Sequence, residues 1–189
     1  MNTQTAKKAH QLFQLSLDRE QRIGEKAFKH FRSPSDYAFY SLTLNSHRRD
    51  YDFLSIDERE RVLTGHFKSL VYRLNRLLDN SNKHPEYKLQ HLYAIEHFSK
   101  RDHSKLVQPH IHATLAVPRS RLERFTSALV RVSSSSSTYR YTLFESLLET
   151  PRASLSAHIE ELSQLTDIYK WLGYSLKQHL IHQPARVVA

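Results

Sequence analysis

Apolar positions along the chain change their period several times, and each change marks an element. Residues 5–32 carry Leu12, Phe13, Leu17, Phe28 and Phe31 at helical spacing, with Gly24 a weak point, and SPSD (Ser33 to Asp36) breaks the helix. YAFYSLTLN (Tyr37 to Asn45) is dense in β-formers and predicts a first strand. The next segment opens with Ser55 and, three residues on, Glu58, the spacing of a capping box. Leu63, Phe67, Leu70, Leu74, Leu77 and Leu78 then keep one helical stripe. After the turn NSNKHPEY, Leu89 to Ser99 and Pro109 to Val117 predict a second and a third strand, joined by the basic loop KRDHSKLVQ. Pro118 opens a helix bearing Leu122, Phe125 and Leu129, with Arg119, Arg121, Arg124 and Arg131 interleaved. The serine run Ser133 to Ser137 leads into a fourth strand, Thr138 to Leu147, and from Ser154 the pattern returns to helix.

This order predicts an α+β domain: a central, mostly antiparallel sheet of four strands with helices packed on one face. The short link between the second and third strands makes them an antiparallel pair. Residues 1–35 read as an N-terminal helical extension, 36–182 as the domain and 183–189 as a flexible tail.

The third strand, PHIHATLAV, carries the first sign of chemistry. A strand alternates its side chains, so His110, His112 and Thr114 share one face and Ile111, Ala113, Leu115 and Val117 the other. The apolar set must meet the helices, which places the histidines on the face left open. Two imidazoles one pleat apart can chelate a divalent ion. In the preceding strand, Glu96 sits within an apolar stretch, where a carboxylate is costly unless paired or bound to a cation. A hairpin would bring Glu96 beside the histidines. His97 points the other way and replaces it as third ligand if the register shifts by one.

Composition narrows the setting. The 189 residues contain no cysteine, so disulfides and thiolate metal sites are excluded. With three glycines and no phosphate-binding glycine loop, nothing supports an ATPase. No apolar run reaches the ~18 residues of a membrane span, and the compartment is read as cytoplasmic. A net charge of +9 and a pI near 9.8 suit a polyanionic partner.

Near the C-terminus, TDIYKWLGYSLKQHL predicts a helix in which Lys170, Tyr174 and Lys177 fall on one stripe at spacings of four and three. Tyr169 points roughly 140° away, at about 100° per residue. Flanking lysines favour the phenolate form of Tyr174.

Together these segments resemble the HUH endonucleases, the superfamily of rolling-circle replication initiators. PHIHATL is similar to its histidine–hydrophobic–histidine motif, FYSLTLN (Phe39 to Asn45) to its first motif, and Tyr174-Ser-Leu-Lys177 to its Y-x-x-K motif, in the family's order. Ser41 stands where that first motif usually has threonine, and the loop before the histidines lacks the family's frequent glycine. The resemblance spans roughly residues 36–180 and implies a ferredoxin- or RRM-like Rep fold with an added N-terminal helix. It further implies Tyr174 as nucleophile forming a 5′-phosphotyrosine, assisted by Lys177, and Mg²⁺ or Mn²⁺ on His110, His112 and Glu96. Lys170, Arg119, Arg121 and Arg124 would contact DNA. The expected substrate is single-stranded DNA or an origin hairpin, in the cytosol of a prokaryotic host of a plasmid or virus, with strand separation by a host or separately encoded helicase. Tyr169 remains a candidate second nucleophile.

Three other readings compete. An HUH-type transposase would use the same residues. A non-catalytic basic DNA-binding protein would need neither tyrosine nor metal. His112-Ala-Thr114 also fits the H-x-T element of two-histidine phosphoesterases, but no second copy occurs.

Overall fold

The computed structural model describes residues 17–46, 53–81, 83–98, 106–132, 140–143, 145–148 and 155–182. A helix over residues 17–28 (α1) is followed by β1 (Tyr37–Ser46), α2 (Ile56–Leu78), β2 (Gln90–Phe98) and β3 (Leu106–Pro118). Then come α3 (Leu122–Thr126), β4 (Leu129–Val132), β5 (Arg140–Leu143), α4 (Glu145–Leu148), β6 (Leu155–Glu161) and α5 (Leu165–His182). The strands form one six-stranded sheet in the order β2-β3-β1-β6-β5-β4, and every paired neighbour is antiparallel.

The predicted strands β1, β2 and β3 are present and adjacent in the sheet, and α2 begins with the expected capping box. The Ser55 amide donates to Glu58 Oε2 at 2.9 Å, and the Glu58 amide donates to Ser55 Oγ at 3.3 Å. Leu63, Phe67, Leu70, Leu74 and Leu78 of α2 are buried against Leu42, Leu44, Ile111, Ala113 and Leu115. Each such side chain contributes about 1.5–3 kcal/mol by leaving water, so this layer is the main core.

The C-terminal half departs from the expected pattern in two places. The helix after Pro118 stops at Thr126, and Leu129 belongs to strand β4 instead. The chain from Ser154 does not return directly to helix: Leu155–Glu161 is β6, inserted beside β1 near the middle of the sheet. Ala157 and Ile159 are fully buried while His158 is exposed, a period of two that the charged run HIEEL obscures. The fourth predicted strand survives as Arg140–Leu143, and its last residues enter α4. Residues 1–16, the serine run 133–137, the loop residues 100–105 and the tail 183–189 lie outside the described residues.

Helices α2, α3 and α4 pack on one face, as expected. The other face, expected open, is partly covered by α1 and α5, where Ala27 and Phe31 join Phe39, Leu92, Ala116, Ile168 and Leu172 in a second apolar cluster. Two glycines set how closely these helices cross. A Cβ on Gly24 would overlap the Tyr169 carbonyl, and one on Gly173 would overlap the Glu20 carbonyl. Both obstacles are backbone, so neither can swing aside. Gly24, a weak point by helix propensity, is what allows α1 to seat on α5. Among the described residues no helix is long and apolar enough to cross a membrane.

Candidate metal centre

Register aligns the polar residues of the sheet in rows. Glu96 of β2 lies opposite His110 of β3, which lies opposite Asn45 of β1. One row along, His112 stands between Ala94 and Thr43, and Thr43 faces His158 of β6. Directly paired residues project to the same face, so Glu96, both histidines and Thr43 converge beneath α5. The β2–β3 register shifts between Glu96 and Phe98, immediately beyond the site, as bulges near functional sites often do.

Glu96 Oε2 lies 2.9 Å from His112 Nε2 and 3.3 Å from His110 Nε2. Ligands about 2.1 Å from one ion on adjacent octahedral vertices sit about 3 Å apart, so both separations suit a shared metal. The three residues offer ligand atoms all within 4.8 Å of one another, and the group could hold a metal ion. Two imidazoles and one carboxylate leave further coordination positions for water or substrate. Without an ion the groups satisfy one another, Glu96 accepting from a protonated Nε2.

The far side of each ring is also held. His112 Nδ1 is 3.2 Å from Thr43 Oγ1, and His110 Nδ1 is 3.1 Å from the Gln108 carbonyl. A proton on each Nδ1 would donate to these oxygens and leave Nε2 free to ligate, which orients both rings. Burial acts to raise the Glu96 carboxyl, but hydrogen bonds and charge from His110 and His112 outweigh it and hold the group well below the usual carboxylate range. Glu96 is therefore an anion at neutral pH although it is only 7% exposed.

Helix α5 closes the site from above. Trp171 Nε1 donates to the Ala113 carbonyl at 3.0 Å, pinning the helix onto β3. Trp171 and Tyr174, three residues apart, stack with ring centres 5.7 Å apart. Both meet His112 edge-on, at 5.3 Å for Trp171 and 5.2 Å for Tyr174. Tyr169 does not reach the histidines; it packs edge-on against Phe28 of α1 at 5.3 Å. Lys170 and Tyr174 line one cavity, together with His112 and Thr43.

The structure thus brings together Glu96, His110, His112, Tyr174 and Lys170. The side chains of Lys177 and His97 lie outside the described residues. Arg119, Arg121 and Arg124 are not gathered at this site, since they follow the opposite end of β3. Arg119 Nε donates to the Ser35 carbonyl, Arg121 stacks over Tyr87 at 3.7 Å, and Arg124 reaches the Leu78 carbonyl at 3.4 Å. Thr43 and Trp171 are not singled out by the sequence pattern, yet both touch His112. The spacing of Trp171 from Tyr174 was a legible signal for the second of these. Nor does the pattern single out the wall of the cavity built by α1 and β6.

No protein-family model matches the chain, and no curated protein or solved structure shows significant similarity to it.

Proposed function

We propose that the chain is a metal-dependent DNA strand-nicking and rejoining endonuclease with a tyrosine nucleophile, acting at the start of rolling-circle replication of a plasmid or phage. The observation that carries this reading is the placement of the Tyr174 ring 5.2 Å from His112, itself part of the Glu96–His110–His112 group. A lone histidine–carboxylate cluster is common; one roofed by a tyrosine on a lysine-bearing helix suits phosphoryl transfer. The resemblance of three motifs in order to the HUH endonucleases supports the same assignment.

In this reading Tyr174 Oη gives up its proton to solvent and attacks a DNA phosphate. The P–O3′ bond breaks, and the leaving 3′-oxygen takes up a proton from water, so the proton count balances. The product is a 5′-phosphotyrosine and a free 3′-hydroxyl, so bond energy is retained for rejoining without ATP. Mg²⁺ or Mn²⁺, held by Glu96, His110 and His112, would polarise a phosphoryl oxygen and offset transition-state charge. Thr43 keeps His112 oriented, and Lys170 and Lys177 add positive charge along the helix. Single-stranded DNA or a hairpin is the substrate, bound with strong salt dependence; a separately encoded helicase in the host cytosol would separate the strands.

The test uses a pool of labelled, random-sequence single strands and hairpins with Mn²⁺, and looks for a protein–DNA adduct that survives denaturing gels. Tyr174→Phe should keep DNA affinity and lose the adduct by at least about 10³-fold. EDTA and His110→Ala should each abolish it. An adduct that persists in Tyr174→Phe, or undiminished in EDTA, overturns the reading.

A further inference from the structure

A second cleft, of about 880 Å³, opens at the other end of β2 and β3 and shares no lining residue with the cavity beneath α5. Its walls are the chain from α1 into β1, the turn Pro85–Tyr87 with the start of β2, and the chain leaving β3. Gln90 lines this cleft, and Glu96, six residues along the same strand, belongs to the metal centre. The even spacing, with no register shift between them, puts both on one face of the sheet. At ~3.3 Å per residue the two sites are about 20 Å apart.

Two clips hold the walls together. The Arg32 amide donates to Gln90 Oε1 at 2.8 Å, and Gln90 Nε2 donates back to the Arg32 carbonyl at 3.0 Å. Arg119 Nε donates to the Ser35 carbonyl at 3.1 Å, tying the same turn to the end of β3. That bond fixes the direction of an exposed guanidinium and leaves its terminal nitrogens for a ligand. The cleft is therefore formed before anything binds.

Each wall contributes one cation: Arg32, Lys88 and Arg119. Among the described residues, the Arg32 guanidinium and the Lys88 ammonium have no hydrogen-bond or ion-pair partner. Of the two carboxylates in the lining, Asp36 accepts from the Ser35 hydroxyl at 3.4 Å and Glu86 lies 3.3 Å from His84 Nδ1. Tyr37 and Tyr87 add ring surface. Cations beside rings suit the phosphates and unpaired bases of a single strand, whereas the bases of a duplex stay stacked on one another.

We propose that this cleft is a second anchor for single-stranded DNA, holding the strand several nucleotides away from the phosphate at Tyr174. The identity of the strand rests on the nuclease reading. Arg119, Arg32 and Lys88 take phosphates, and the rings of Tyr37 and Tyr87 meet bases. Stacked nucleotides advance about 3.4 Å each, so about six of them span the distance between the two sites. The anchor thereby sets how far from a held segment the strand is cut.

The full chain is titrated in EDTA with a fluorescein-labelled thymidine tetramer and a dodecamer, and anisotropy gives the midpoint for each. The tetramer can occupy one site and the dodecamer both, so the dodecamer should bind about tenfold or more tightly. Arg32→Glu and Lys88→Glu should each bring the dodecamer to within about threefold of the tetramer, and each should lower its salt slope by about 0.7. Urea midpoints should not move, because neither side chain holds a partner in the fold. Lys68→Glu, at an exposed position of α2, changes the net charge equally and should leave the ratio intact. Equal midpoints for the two lengths overturn the proposal, as does a ratio undiminished in both cleft variants or lowered as much by Lys68→Glu. Chelation keeps cleavage out of the measurement. A covalent adduct without length dependence removes the anchor and leaves the nuclease, while length dependence lost in the cleft variants, without any adduct, does the reverse.

Discussion

The two faces of β3 are built from one stretch of eight residues, 110–117, and do opposite work. Ile111, Ala113, Leu115 and Val117 are fully buried beneath α2 and its neighbours, with no polar atom to satisfy in their side chains. His110, His112 and Thr114 point to the other side, where His112 is 6% exposed and Thr114 1%. The first face is specified by volume, since hydrophobic side chains of similar size pack nearly as well. The second is specified by direction, because each ring nitrogen and carboxylate oxygen must meet one partner. The covering helices differ in the same sense. Helix α2 lays a continuous leucine stripe on the sheet, whereas α1 and α5 touch through glycines and leave a cavity between them and the strands.

If that division holds, damage to the apolar face should appear in stability and damage to the polar face in binding. The largest effect is expected for Leu115→Ala, which should lower the unfolding free energy by about 2–5 kcal/mol. Its Mn²⁺ affinity by calorimetry should stay within a few-fold of the parent, and a parallel loss of both would break the comparison. Gly173→Ala should cost about 1–3 kcal/mol by forcing a Cβ against the Glu20 carbonyl. It should also shift Trp171 emission, since α5 must move; an unchanged spectrum with unchanged stability would mean that the crossing is looser than described.

Thr43→Val tests direction alone, because it keeps the shape and removes the partner of His112 Nδ1. Mn²⁺ binding should weaken roughly 10- to 100-fold, as for other partners of metal-bound histidines, with little change in the urea midpoint. Gly65→Ala lies in α2, where a Cβ would meet nothing within 4 Å. It should raise stability by about 0.5–1 kcal/mol, the opposite sign to Gly173→Ala. A loss there would show that α2 is not free on that side.

The smallest effect is on pH dependence, at the end of α2. Burial tends to raise the Asp79 carboxyl, but hydrogen bonds from the Ser81 hydroxyl and the His84 and Ser81 amides prevail and lower it from 3.8 to about 2. A depressed native value stabilises the fold above the unfolded value and is lost as pH falls through the native one. The advantage of the parent over Asp79→Asn should therefore be full at pH 5 and vanish between pH 4 and 2. Urea midpoints across that range that keep a constant gap would contradict the assignment.

What the sequence determined by itself was whatever follows from local period and local chemistry. The alternation of PHIHATLAV placed the imidazoles on one face, the Ser55–Glu58 spacing started α2, and the spacing of Lys170 and Tyr174 put them on one stripe. The pairing of Glu96 with His110 was legible as a consequence of a short hairpin, although register itself is a long-range choice. Tertiary structure alone decided the rest. LSAHIEE became a strand because β1 had an open edge to fill, and a seven-residue segment rich in His and Glu carries too little local preference to resist. Thr43 became a partner of His112 only through a register joining residues sixty-nine apart. Gly24 and Gly173 acquired meaning only where two helices cross, because a missing side chain leaves no local signal until another backbone occupies its space.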